Sequence, residues 1–126
     1  ARMGEFAKAR AAALRKRALQ LGRNPARASV PRLHRARIAA KQWRYLYEAF
    51  YPAMGVRASK RYRAHLGRLQ EALGEIHDAG VALKRTGRLL EDAPPTAILS
   101  AFHIREHVAR KRATKSLRWI RRHKAV

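Results

Sequence analysis

The sequence predicts an all-α protein, an antiparallel helical bundle of about five helices, and three observations carry that expectation. Alanine, leucine and arginine dominate, and all three are good helix formers. No window alternates polar and apolar residues as a half-buried strand does. The breakers cluster at three places, Gly22 to Pro25, Pro52 to Gly55 and Pro94 to Pro95, and leave helix-length runs between them. A chain of 126 residues suits a single basic helical domain over residues 1–126.

The elements follow in order. A first helix is expected from about Glu5 to Leu21, stopping before Gly22, Asn24 and Pro25. A second begins near Pro31, a favourable first helical residue, and runs to about Tyr51 before Pro52 and Gly55. A third covers roughly Ala58 to Ile76. Asp78 reads as an N-cap for a fourth helix ending near Asp92. Pro94 and Pro95 force a turn, and Thr96 caps a long fifth helix reaching about Arg122. Short connections favour antiparallel neighbours.

Charge narrows the function classes. Thirty Lys and Arg face eight Asp and Glu, a formal net charge of +22. An excess of that size cannot be neutralised internally, so polyanions are the expected partners: nucleic acid, anionic membrane or polyphosphate. Arginine outnumbers lysine, and its planar fork suits bidentate contact with phosphate oxygens. Cysteine is absent, which excludes disulfides and thiolate metal sites. No run approaches the roughly 18 apolar residues of a membrane span, and no signal peptide is recognisable.

Placing side chains about 100° apart around each helix shows where the cations fall. On the second helix His34, Arg37, Lys41, Arg44 and Glu48 form one narrow stripe. Leu33, Ala36, Ala40, Trp43 and Tyr47 lie on one side of it, Ile38 and Tyr45 on the other. A solvated charged face should lie opposite the apolar face, not between two apolar strips. On the first helix Arg10 and Arg17 lie beside the stripe of Met3, Ala7, Leu14, Ala18 and Leu21. On the third, Arg61, His65 and Arg68 border Tyr62, Leu66, Leu69, Leu73 and Ile76. On the last, His103, His107, Arg110, Arg118 and Arg121 separate the strip of Leu99, Phe102, Ala113, Leu117 and Ile120 from Ile104, Val108 and Trp119. Unpaired cations cannot be buried dry, so one reading is a wet cleft or pore filled by a polyanion. The other is that long Arg and Lys stems run along the core edge into ordinary solvent.

The segment Leu33 to Tyr45, LHRARIAAKQWRY, resembles the helix that defines the conserved histidine α-helical domain, or CHAD, family. The matching positions are His34, Arg37, Lys41, Arg44 and Tyr45. The later RLQEALGEIHDAGVAL resembles the family's second pattern through Leu69, Gln70, Leu73, Gly74 and Asp78. The resemblance implies two similar helical bundles around a basic channel that binds inorganic polyphosphate. It implies no catalysis by the domain itself and no cofactor, although relatives are often fused to triphosphatase domains. Gln42 departs from the pattern, as does His77 before Asp78. The chain resembles the second half alone of that two-bundle fold. That implies either that the other half is lost or removed or that two copies associate, and a homodimer completing the channel is expected. Cytoplasm, at polyphosphate granules, is the compartment this reading suggests.

Other residue groupings suggest competing sites. His77 and Asp78, with His34 and Asp92, suggest metal-dependent phosphohydrolysis, but a first shell of converging carboxylates is lacking. His103 and His107 have the spacing of a metal pair, yet two ligands do not complete a site and Arg105 and Arg110 repel cations. No metal is therefore expected. Nucleophilic catalysis has no candidate, since there is no cysteine and no serine elbow. The alternative function is sequence-nonspecific RNA or DNA binding, which charge alone supports equally. Trp43, Tyr45 and Tyr47 could stack on bases, but their helical spacing reads more simply as core. A third reading lays the basic helices on anionic membrane.

Overall fold

The computed structural model describes residues 2–50, 52, 60–89 and 96–123. Within them the chain forms four α-helices: α1 (Arg2–Leu21), α2 (Val30–Phe50), α3 (Lys60–Leu89) and α4 (Thr96–Arg122). The all-α expectation holds, and no strand occurs among the described residues. The count of five does not. The expected third and fourth helices are one continuous helix of 30 residues, and Asp78 sits exposed inside it rather than capping a new one. The cause is visible in the packing. Leu66, Leu69, Leu73, Ile76 and Ala79 are all buried at three- and four-residue spacing, so one apolar stripe passes straight through Asp78. Asp inside a helix costs only a fraction of a kcal/mol, which that burial outweighs. The expected helix end near Asp92 lies outside the described residues, as do Tyr51, Gly55, Pro94 and Pro95.

Consecutive helices run antiparallel. His34 on α2 meets His77 on α3, and Arg44 meets Gln70. His65 on α3 meets Trp119 on α4, and Glu75 meets Arg112. Among the described residues, helices α1 and α4 meet only locally, near their C-terminal ends, where Arg15 donates to the Ile120 carbonyl at 3.0 Å and Arg121 to that of Leu19. The buried face of α1 is Gly4, Ala7, Ala11, Leu14 and Ala18, mostly small residues that let its backbone lie close to its neighbours. Trp43, Tyr47 and Tyr62 fill the centre, with Tyr62 ring contacts to both at 6.0 and 5.6 Å. Their burial stabilises by roughly 2–3 kcal/mol per ring.

The α1–α2 turn is built from its own residues. Gly22 N–H donates to Ala18, and Asn24 takes the left-handed conformation at φ 51°, which Asn tolerates better than most residues. Ser29 caps α2, accepting the Arg32 N–H at 3.3 Å. Helices α3 and α4 are longer than α1 and α2, about 45 and 40 Å against about 30 Å. Gly80 packs on Val30, the first residue of α2, and Arg110 reaches the α1–α2 turn. The parts of α3 and α4 past those contacts overhang the shorter pair, and Ile98, Ile104 and Val108 are exposed there.

Candidate anion-binding site

The groove between α2 and α3 gathers His34, Arg37, Lys41 and Arg44 in one file. Both arginines are seated on glycines of α3. A Cβ on Gly74 would lie 3.4 Å from Arg37 Nε, and one on Gly67 would lie 3.8 Å from Arg44 Cζ. Glycines seven residues apart on α3 thus face arginines seven residues apart on α2, and each missing side chain makes room for a guanidinium. Arg44 also donates to Glu48 and to Gln70, both at 3.1 Å, which fixes its fork along the groove. The His34 ring stacks on His77 with centroids 4.2 Å apart. Partial burial, then His77, then Arg37 hold the His34 pKa below its ordinary value. Lys41 is exposed at the mouth, its ammonium 5.8 Å from the Tyr45 ring.

Arg61, His65 and Arg68 face the next groove, between α3 and α4. His65 stacks on Trp119 at 3.9 Å, and His123 stacks on the same indole at 4.0 Å. Arg61 lies 5.6 Å from that indole. Desolvation, followed by Arg68, Arg61, His123 and Lys115, lowers the His65 pKa. Trp119 therefore does not join Ile104 and Val108 in an outer apolar strip, contrary to the sequence expectation. Two imidazoles cover its faces, and Tyr62 packs beside it at 5.7 Å. A cavity of about 380 Å³ opens here beside His65 and Arg68.

The remaining cations serve other surfaces. Arg110 donates to the carbonyls of Pro25 and Ala28, both at 2.7 Å, and pairs with Glu106 at 2.9 Å. Arg121 donates to the Leu19 carbonyl, and Arg32 to those of Leu21 and Gln20. With Arg15, these arginines hydrogen-bond carbonyls at helix ends and in the turn, two of which, those of Gln20 and Ile120, also accept the backbone N–H groups of Arg23 and His123. His107, Arg118 and Arg121 line hollows beside the α1–α2 turn. Arg10 and Arg17 are exposed on α1, and His103 is exposed on the overhang, as are Met3 and Phe6 on α1. The cations expected around one cleft thus occupy separate grooves, because Trp43, Tyr47 and Tyr62 fill the space between the helices.

Sequence reading missed the seats of the arginines. The signal was present as Gly67 and Gly74 at the spacing of Arg37 and Arg44. It also missed Arg112, Lys115 and Ser116, which join His65 and Arg68 only through the pairing of α3 with α4. Among the described residues no three His, Asp or Glu side chains gather as metal ligands, so His103 and His107 stand without further donors. No helix among them is long and apolar enough to cross a membrane.

The structure is thus an all-helical domain with a file of cations set into an inter-helix groove. The CHAD domain model matches residues 1–87, which takes in α1, α2 and nearly all of α3, and the chain belongs to that family. Helix α4 lies outside the matched region. No curated protein and no solved structure matches the chain.

Proposed function

We propose that this protein binds inorganic polyphosphate, without catalysis, along the groove between α2 and α3. The observation that carries the reading is the seating of Arg37 and Arg44 on Gly74 and Gly67, in file with His34 and Lys41. Neighbouring cations of that file are separated by three or four residues, a rise of about 4.5–6 Å, so an anionic chain along the groove meets a positive group at each step. The arginine forks offer planar donors and Lys41 a mobile point charge, a set matched to phosphate oxygens. Family membership supports the same ligand.

Nucleic acid is the competitor on charge alone. Binding of single strands usually adds bases stacked on exposed aromatic rings. Here Trp43 and Tyr47 are buried, as the sequence predicts, and Trp119 is covered on both faces. Tyr45, expected in the core, is instead exposed beside Lys41 and leaves a single ring at the groove for a base to stack on. A triphosphatase domain, fused or associated, is the catalytic partner this reading implies, and polyphosphate granules are the place it implies.

The test compares two triple variants with the native protein: Arg37→Gln, Lys41→Gln and Arg44→Gln against the exposed cations Lys16→Gln, Arg35→Gln and Lys84→Gln. Both remove three charges. The groove triple is expected to lose about 3 kcal/mol or more of polyphosphate binding, near the sum of three charge-assisted hydrogen bonds, and the exposed triple clearly less. Affinity should also fall steeply with salt, with a log–log slope near −4 for roughly six phosphate contacts. Equal losses from the two folded triples, or tighter binding of single-stranded RNA at matched charge and salt, would reject the proposal.

A further inference from the structure

The cavity between α3 and α4 has a composition that a site for a polymer backbone does not need. It is lined by His65, Arg68, Arg112, Lys115 and the nearly buried Ser116, together with one carboxylate, Glu71. Glu71 is exposed and, like Glu5 and Asp78, makes no ion pair among the described residues, but it alone of the three lines this cavity, shared with three permanent cations. The carboxylates that do pair are Glu48, Glu106 and Glu75. Opposite charges lining one cavity but kept beyond pairing distance leave a gap that a bridging group can fill. That group must accept hydrogen bonds from Arg68, Arg112, Lys115 and Ser116 and donate one to Glu71, because a carboxylate only accepts.

We propose that this cavity is a second anion site, selective for a phosphate group that carries a P–OH. A protonated phosphate offers several acceptor oxygens and one donor on the same small tetrahedron. Sulfate offers acceptors alone, and so does an internal phosphate of a condensed chain. Glu71 repels both, with no proton to accept. Stacking on Trp119 fixes the His65 ring at the cavity wall. Burial, then its cationic neighbours, lower the His65 pKa, so the free site presents this ring as a hydrogen-bonding group more than as a charge. Two sources share this chemistry, free orthophosphate and the terminal group of a polyphosphate chain. The site uses none of the α2–α3 file and does not rest on the reading given to it.

The experiment follows the backbone amides of residues 112–116 on α4, away from the α2–α3 groove, by NMR at about pH 6, where a phosphate monoester is half protonated. Orthophosphate, sulfate, linear tripolyphosphate and cyclic trimetaphosphate, which has no chain end, are titrated at matched ionic strength. Orthophosphate is expected to bind about tenfold or more tighter than sulfate, the size of one hydrogen bond left unmade. In Glu71→Gln, whose amide can donate to either anion, that ratio should fall to about twofold or less. Arg68→Gln with Lys115→Gln should lose both anions, while the α2–α3 triple variant should keep orthophosphate binding as in the native protein. Tripolyphosphate much tighter than orthophosphate assigns the site to chain ends, and equal affinities assign it to the free ion. The proposal is overturned if sulfate binds as well as orthophosphate, if Glu71→Gln leaves their ratio unchanged, or if trimetaphosphate matches tripolyphosphate. Long-chain binding by the α2–α3 file is measured separately, so failure of one site does not decide the other.

Discussion

At the residue scale, the two stacked histidines make the protein's stability depend on pH. Burial, His77 and Arg37 lower the His34 pKa, and burial with Arg68, Arg61, His123 and Lys115 lowers that of His65. The unfolded chain therefore accepts protons that the folded protein disfavours. Stability is fully present above the ordinary histidine value of 6.5 and declines as pH falls below it toward the depressed folded values. A bound polyanion reverses the local field, because negative charge beside an imidazole favours its protonated form. Thermal melts between about pH 7 and about pH 5 should show the free protein losing stability and polyphosphate restoring more of it at the acid end. His34→Gln and His65→Gln together should flatten both trends.

Arg110 is a residue-scale case of a different kind. Its guanidinium joins Glu106 to the carbonyls of Pro25 and Ala28, and its side chain keeps only 15 % of its exposure. Replacing it leaves Glu106 and two carbonyls without their donor. Arg110→Gln is expected to cost about 2–3 kcal/mol of folding stability, read from urea unfolding midpoints. Its effect on polyphosphate affinity, measured where the variant is folded, should not exceed that of an exposed cation.

At the element scale, α3 can be tested for continuity through Asp78 without altering charge. Inside a helix Asp78→Glu should gain a few tenths of a kcal/mol, since Glu is the better helix former; at an N-cap the same change would cost about 1 kcal/mol. Much of the architecture was legible from such local chemistry. The ends of α1 and the start of α2 lie within three residues of expectation, because Gly22, Asn24, Ser29 and Pro31 act on their own backbone. Asp78 misled because its capping preference is a local signal overridden by a stripe of buried residues on both sides of it. The cation file on α2 was legible as a stripe beside Leu33, Ala36, Ala40, Trp43 and Tyr47, all buried. The strip expected on its other side, Ile38 and Tyr45, is exposed, because no helix among the described residues packs on that side of α2. Trp119 was not, since its partners His65 and Tyr62 come from another helix and no periodicity within α4 reports them. For the same reason Glu71 gave no sign of sharing a cavity with Arg112 and Lys115.

At the scale of the whole molecule, +22 opposes any self-association that polyanion does not relieve. The exposed Ile98, Ile104 and Val108 nevertheless offer an apolar surface on the overhang, although without Trp119 it is smaller than the sequence suggested. Light scattering at roughly tens of micromolar protein should find a monomer alone and a dimer with polyphosphate. A monomer under both conditions removes the second copy from the account. The unequal helix lengths carry a separate consequence. Residues 60–80 of α3 lie between α2 and α4, whereas residues 81–89 and the first turns of α4 extend past α2 and the α1–α2 turn. Amide hydrogens in the packed stretch can exchange with solvent deuterium only when the whole bundle opens, but those in the overhang need only a local fray. Along this one unbroken helix, exchange should be slowest near Leu69 and Leu73 and fastest toward Gly87, a gradient in time written by the difference between 21 residues of α2 and 30 of α3.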